Sequence, residues 1–476
     1  MDDQQLERLA SNNPAMTMPA NVRLPEAADC STSVQDDSLG SAGGTKILSD
    51  PAGDITKVRS ATSFRPKSKY DVGWRRVVRN FSPSWFSVTM GTGIVSVLLF
   101  TIPFHANWLY WLSVFFLVLN LIIFALAATI SVIRYTVYPE IWTVMIHDPT
   151  NSLFLGTIPM GFATIIEGII FLCCPYWGPW ATTFAWVLWM IDSVASFAVT
   201  VSLSFILISQ SHLQSLDRIT AAQLLPIAAT IVASGTGAEV AEALLKYHGS
   251  PRYALGTLIA SYIMWGMSTP FAIFTLVIYY QRLAVHKLPP REIIVSSFLP
   301  LGPLGMGGYT VMYLGAQARE VLPLVPPFLS HIPVAGDILY ILGIFIALIM
   351  WAFGLVWFVY ALAAIYSCGS FPFNMGWWGF TFPLGVMAAS TIQLGVEFPS
   401  LFFRVLGTAF AVMVIILWIV VFAGTIKGAW SGQLFYAPCL KNLPKDRKHG
   451  ACVKDDSQEN KVRRKMANET DLEKGD

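Results

Sequence analysis

Charge is the first thing this 476-residue sequence lacks: Lys, Arg, Asp and Glu make up 13% of it, against roughly a quarter in ordinary soluble domains. What charge there is sits at the ends. Residues 1–81 hold 21 charged side chains and residues 427–476 hold 19, leaving 20 for the 345 residues between. A soluble core of that size is excluded, and no part of the chain points to nucleic acid. Also missing is an apolar secretion signal in residues 1–70, which are rich in Asp, Ser, Asn, Pro and Gly and are expected to form a disordered cytosolic tail. Cysteine is scarce. Of six, Cys30, Cys439 and Cys452 fall in the tails and Cys173, Cys174 and Cys368 at helix ends, with no zinc spacing and no disulfide framework. There is no P-loop, no HExxH and no nucleotide-binding glycine loop, so the sequence predicts neither an enzyme nor a cofactor or metal.

What is present is apolar length. Mean hydropathy is +0.56, with 54% hydrophobic residues. Ten stretches match the roughly 20 residues a helix needs to cross a bilayer: 82–102, 108–133, 150–172, 181–209, 223–245, 254–281, 296–318, 337–366, 376–396 and 401–427. They alternate in texture. Odd-numbered spans are short and rich in Gly, Pro, Ser and Thr, while even-numbered spans are long and rich in Leu, Ile, Val, Phe and Trp. The pattern predicts an all-α membrane protein of five helical hairpins, with the odd helices inside in a quasi-fivefold arrangement around a central pore. The even helices, with Trp108, Trp111, Trp186, Trp189, Trp351 and Trp357, are expected to form the lipid-facing ring. Domain limits follow: tail 1–70, a basic amphipathic segment 71–81 suited to the membrane interface, the ten-helix domain 82–427 and a tail 428–476.

Lys and Arg set the orientation. Arg75, Arg76, Arg79, Arg134, Arg218, Arg282, Lys287, Arg291 and Lys427 fall on one side, against Lys246, Arg252, Arg319 and Arg404 on the other. Both termini are therefore expected in the cytoplasm.

Prolines recur at Pro83, Pro159, Pro226, Pro300 and Pro383, spaced by 76, 67, 74 and 83 residues. Each accompanies a small-residue motif such as Met90-Gly91-Thr92-Gly93 or Ile158-Pro159-Met160-Gly161. Small residues let membrane helices approach closely, and a proline frees a carbonyl that only protein or a wet cavity can satisfy. Kinked helices of this kind suit a narrow polar path, with Thr89, Gly93, Pro159, Gly161, Thr236, Pro303, Gly307 and Pro383 as candidate lining. Acids inside spans are few. Glu167, Glu239 and Glu242 fall near helix ends, where water is expected to reach them, and Asp192 lies mid-span. Intramembrane acids are functional candidates by default, so Asp192 and Glu167 are the candidates for proton coupling. No odd span carries a mid-membrane Lys or Arg, and none carries a row of acids or the potassium-channel filter. Such a path suits a weakly held anion attracted by helix dipoles and backbone N–H groups.

The run Asn80 to Ser96, with Gly156-Thr157-Ile158-Pro159-Met160-Gly161, Leu299-Pro300-Leu301-Gly302-Pro303-Leu304-Gly305, Trp377-Trp378-Gly379-Phe380-Thr381-Phe382-Pro383-Leu384-Gly385 and Phe403-Arg404-Val405-Leu406-Gly407-Thr408, resembles the tellurite-resistance/dicarboxylate transporter family. Within it, the resemblance is to the fungal sulfite efflux pumps, relatives of slow anion channels. It implies ten helices around a pore, a homotrimer in the plasma membrane and surrounding lipid, and sulfite or bisulfite as substrate. It also implies a phenylalanine of the ninth helix as pore gate, either Phe382 or, one phase away, Phe380. Two other functions are open: a malate or other C4-dicarboxylate carrier of the same family, and a non-transporting membrane receptor. The lack of mid-span cations in the odd helices favours a compact anion over a dicarboxylate.

Overall fold

The computed structural model describes residues 73–209, 216–325, 332, 334–435 and 440. The predicted tail 1–70 and most of the predicted tail 428–476, with Cys30, Cys439 and Cys452, lie outside the described residues, as does the start of the basic segment; the final helix runs on to Trp430, three residues into the predicted C-terminal tail. Its remainder forms α1 (Trp74–Asn80).

Every further regular element among the described residues is helical. In chain order they are α2 (Phe86–Thr101), α3 (Asn107–Val137), α4 (Pro139–Ile146), α5 (Thr157–Gly168), α6 (Cys174–Trp177), α7 (Pro179–Ser209), α8 (Leu224–Ala243), α9 (Pro251–His286), α10 (Leu301–Val321), α11 (Ala335–Cys368), α12 (Thr381–Glu397) and α13 (Leu401–Trp430). Nine spans built from these are long and apolar enough to cross a bilayer. The exception among the expected ten is α10, whose glycines, Gln317, Arg319 and Glu320 lower its hydropathy. It is nonetheless a helix of 21 residues, buried along most of its length.

The two textures separate as expected. In their most apolar windows the spans containing α2, α5, α8 and α12 are 72–100% buried, whereas α3, α7, α9, α11 and α13 are 17–39% buried. Helices apolar on every side must find an apolar surround, and the outer five present Trp108, Phe205, Phe274, Ile341 and Ile416 outward. With 36 residues, α9 is about 54 Å long at 1.5 Å per residue and exceeds a hydrocarbon core of about 30 Å.

Tryptophan placement corrects the expectation of a uniformly lipid-facing ring. Trp108 and Trp111 face outward, but Trp189, Trp351 and Trp357 are buried. A buried indole favours an acceptor for its N–H; Trp357 Nε1 has none among the described residues, but for four other tryptophans the inner helices supply it. Trp189 donates to the Ala233 carbonyl at 2.8 Å, Trp265 to the Gly307 carbonyl at 2.9 Å, Trp351 to Thr391 Oγ1 at 2.9 Å and Trp418 to Thr92 Oγ1 at 3.1 Å. Four outer helices are thus latched to α8, α10, α12 and α2.

The inner helices touch in a closed order: α2 on α5, α5 on α8, α8 on α10, α10 on α12, and α12 back on α2. Each begins from a 3-10 segment, at Pro83–Trp85, Ser152–Gly156, Ala221–Gln223, Arg291–Phe298 and Met375–Phe380. The prolines mark that change of winding. Pro159, Pro226, Pro303 and Pro383 are each the third residue of their α segment, where a missing N–H costs little. The proline inside a long helix is Pro270, on outer helix α9. The irregularity expected as a kink is therefore a switch from 3-10 to α winding at one end of each inner helix.

Candidate functional site

Glycines let the inner helices meet. A Cβ at Gly305 would stand 2.8 Å from the backbone nitrogen of Met387 on α12, and one at Gly385 would stand 2.6 Å from Ile94 on α2. At Gly235 it would collide with Met306 and lie 2.7 Å from Thr310, both on α10, and at Gly156 it would lie 2.6 Å from the Leu225 carbonyl. Three glycines expected along a pathway behave in the same way. Gly161 abuts Thr89, Gly93 abuts Thr164 and Asn120, and Gly307 abuts Met350 of α11. These glycines project toward neighbouring helices. Gly302 differs: it is buried, yet a Cβ there would meet nothing within 4 Å among the described residues. It opens onto interior space.

At the beginnings of the five inner helices lies a cavity of about 610 Å³. Its wall takes Ser87 and Met90 from α2, Leu153 and Phe154 from the turn before α5, and Gln223 and Leu225 from the start of α8. Val295, Ser296 and Leu299 come from the segment before α10, and Met375, Gly376 and Gly379 from that before α12. The first turns of α2 and α8 and the segments leading into α5, α10 and α12 therefore border one space, and a helix N-terminus carries roughly half a positive charge from its dipole. Arg218 and Arg282 also border the cavity, with Asp217 and Glu292. A second cavity of about 730 Å³ lies beside it and shares Phe154, Asn374, Met375 and Gly376 as a dividing wall. Over that second space the chain ends are clasped: Arg76 donates to the Gly432 carbonyl at 3.2 Å, and Trp85 stacks on Phe435 at 5.0 Å.

Phe382 is the second residue of α12, 3% exposed and part of the main core. It follows the cavity-lining Gly379 by three residues, hence on the same side and about one turn deeper. Phe380, the alternative, packs at 5.0 Å edge-on against Phe298 and beside Phe371 and Trp377, in a separate cluster with Ala361 and Ala364 of α11. Phe380 thus faces outer helix α11.

Toward the other ends of the inner helices lie the acids. Glu167 and Glu239 are 4% and 1% exposed, which corrects the expectation that water reaches them. Burial of such groups demands hydrogen bonds, and the neighbouring inner helix provides them. Thr236 donates to Glu167 at 2.9 Å, Tyr309 donates to Glu239 at 2.7 Å, and Tyr313 donates to Glu242. Asp192, on α7, is 1% exposed, and neither of its oxygens has a hydrogen-bond partner among the described residues. Its helix α7 packs against α5, which carries Glu167. Thr89 spends its hydroxyl on the Phe86 carbonyl at 2.7 Å.

The sequence reading missed Arg134 and Arg282. Both are buried near the ends of outer helices, at 0% and 5% exposure. It treated them only as orientation signals; their position three and four residues before the last residue of α3 and α9 was the available clue.

A lipid-compatible exterior around a closed order of glycine-seamed helices, opening at one end on a cavity faced by helix N-termini, defines a multi-pass membrane transport protein. The chain belongs to the voltage-dependent anion channel (SLAC1) family, which matches residues 80–426. It is a channel or transporter and not an enzyme. It is 49% identical over 358 residues to the sulfite efflux pump SSU1 of Arthroderma benhamiae, covering 75% of this chain and 93% of that relative. It is 24% identical over 396 residues to the sulfite efflux pump SSU1 of Saccharomyces cerevisiae, covering 70% and 84%. The malic acid transport protein of Schizosaccharomyces pombe is 23% identical over 360 residues, covering 75% and 81%.

Proposed function

We propose that this chain exports sulfite or hydrogensulfite across the plasma membrane, with both termini cytoplasmic, through a path along the axis of α2, α5, α8, α10 and α12. In this reading α10 is the tenth membrane helix and its low hydropathy reflects an interior position. The observation that carries the substrate is the 49% identity to a sulfite efflux pump over nearly the whole of that relative. The weaker 23% identity to a malic acid transport protein keeps a dicarboxylate as the second reading. Weak anion binding by backbone dipoles fits the smaller ion better.

Phe382 is the proposed gate. Its place one turn beyond the cavity supports a ring that obstructs the path. A negative-inside potential drives an anion outward with about 2.3 kcal/mol per charge per 100 mV. Proton coupling is therefore unnecessary for export, and Asp192 with Glu167 is the proposed place for it if a pH gradient contributes. One path per protomer of a homotrimer, surrounded by lipid, completes the proposal.

The test is sulfite flux into liposomes carrying the purified chain, at an imposed voltage, with and without a pH gradient, and with malate as competitor. Voltage-driven sulfite flux is expected. Malate flux without sulfite flux would replace this reading with the second.

A further inference from the structure

The geometry points to an oxyanion-binding site in the wall of the 610 Å³ cavity, with Arg282 as the residue that grips the anion before it enters the path between the inner helices. The inference rests on the anion-export reading and names where that anion is first held.

Arg282 belongs to outer helix α9, close to its C-terminal end. Its side chain is 5% exposed and borders the cavity. Two of its donors are committed. Nη1 reaches the Lys287 carbonyl at 2.6 Å and Nη2 the Asp217 carbonyl at 3.4 Å. These two contacts tie the guanidinium to the loop after α9 and to the turn preceding α8, and so fix its plane. Lys287 itself has φ of 62°, the left-handed conformation that side chains rarely adopt, so the segment that Arg282 holds is a specially shaped one. A guanidinium carries five N–H donors, so a second N–H on each of Nη1 and Nη2 remains, together with Nε–H, which is buried and has no acceptor among the described residues.

A buried guanidinium donor left unpaired is costly, and a guanidinium is always charged. An oxyanion in the cavity that Arg282 borders would satisfy its uncommitted Nη N–H groups with charge-assisted bonds. The surroundings favour that ligand: the first turns of α2 and α8 line the same space, adding positive potential. The acids bordering the cavity, Asp217 and Glu292, are exposed at its rim, whereas Arg282 is in the wall. With one buried guanidinium as the cation in the wall, the site holds the ion and lets go, as a transported ion requires. Outer helix α9 thus supplies the cation that the inner helices lack.

Sulfite binding to the purified protein by calorimetry, paired with flux against sulfite concentration in liposomes, tests this in wild type, Arg282→Gln and Arg282→Lys. For Arg282→Gln, Kd and KM are expected to rise together by about ten- to a hundredfold, more than maximal flux falls. Arg282→Lys, which keeps the charge but not the guanidinium, is expected to lie between, and it decides the matter should Arg282→Gln fail to fold. Unchanged Kd and KM in a folded variant, or a loss of maximal flux alone, would overturn the site. A wild type that binds sulfite but carries none would instead sink the export reading and leave the site standing.

Discussion

Tyr309 on α10 donates its hydroxyl hydrogen to Glu239 on α8 at 2.7 Å, and 70 residues separate the two. That separation is one hairpin period. Thr236 and Glu167 are 69 residues apart and Tyr313 and Glu242 are 71 apart, so consecutive inner helices are joined by hydrogen bonds between roughly corresponding positions. Interhelical bonds of this kind in membranes contribute about 0.6–1.7 kcal/mol. A double-mutant cycle of Tyr309→Phe and Glu239→Gln, read as thermal stability in detergent, should give a coupling energy in that range. Additive single effects would mean that the pair contributes nothing beyond its separate packing.

Phe382→Ala should raise anion flux, because removing even about 1.4 kcal/mol of obstruction multiplies a rate about tenfold. Phe380→Ala should instead lower stability without raising flux, since that ring packs on Phe298. Conductance measured on both variants separates a gate from a packing ring. Equal flux in wild type and Phe382→Ala would remove Phe382 from that role.

Gly302 provides the converse test. A Cβ there meets nothing within 4 Å among the described residues, so Gly302→Leu should fold as well as the wild type while projecting into the proposed path. Flux is expected to fall by about tenfold or more, the effect of some 1.4 kcal/mol of added barrier. A stable Gly302→Leu protein with undiminished flux would show that the space beside this glycine lies off the path.

The glycine seams predict a different outcome. Gly305→Ala places a methyl 2.8–2.9 Å from backbone atoms of Met387, which cannot rotate aside, so overpacking should cost about 1–3 kcal/mol. Gly266→Ala on α9 meets nothing within 4 Å among the described residues and should stabilise by about 0.4–1 kcal/mol. Thermal melts of the two alanine variants therefore move in opposite directions.

The alternation of textures was legible in the sequence because burial in a membrane protein divides helices by what they touch: small residues where helices meet, large apolar ones where lipid does. The helix limits came within a few residues for the same reason. What each small residue does was not legible. Glycine is equally suited to a seam and to an open path, and only the neighbour tells Gly161, which abuts Thr89, from Gly302, which abuts nothing within 4 Å among the described residues. Trp351 and Trp111 look alike in sequence, yet one is latched to Thr391 and the other faces outward. Nor could helix-by-helix reading reveal that the cation at the cavity comes from α9, since Arg282 reaches it through tertiary packing. The hydrogen bonds at one-period spacing were within reach, had the repeat been used to pair positions across hairpins.

Asp192 carries the last prediction. It stands on outer helix α7, faces inward, and has neither oxygen hydrogen-bonded among the described residues, while α7 packs against α5, which carries Glu167. A carboxyl group and a carboxamide have nearly the same shape, so Asp192→Asn changes the capacity to exchange a proton and little else. If this pair links proton movement to export, the variant should retain voltage-driven sulfite flux and lose whatever increment a pH gradient adds. Glu167→Gln should act similarly but also weaken the contact with Thr236, so its melting temperature should fall where that of Asp192→Asn does not. Flux at fixed voltage, measured with and without the gradient, reads the first effect, and thermal melts read the second. A pH increment that survives in both variants would assign these acids to helix packing alone.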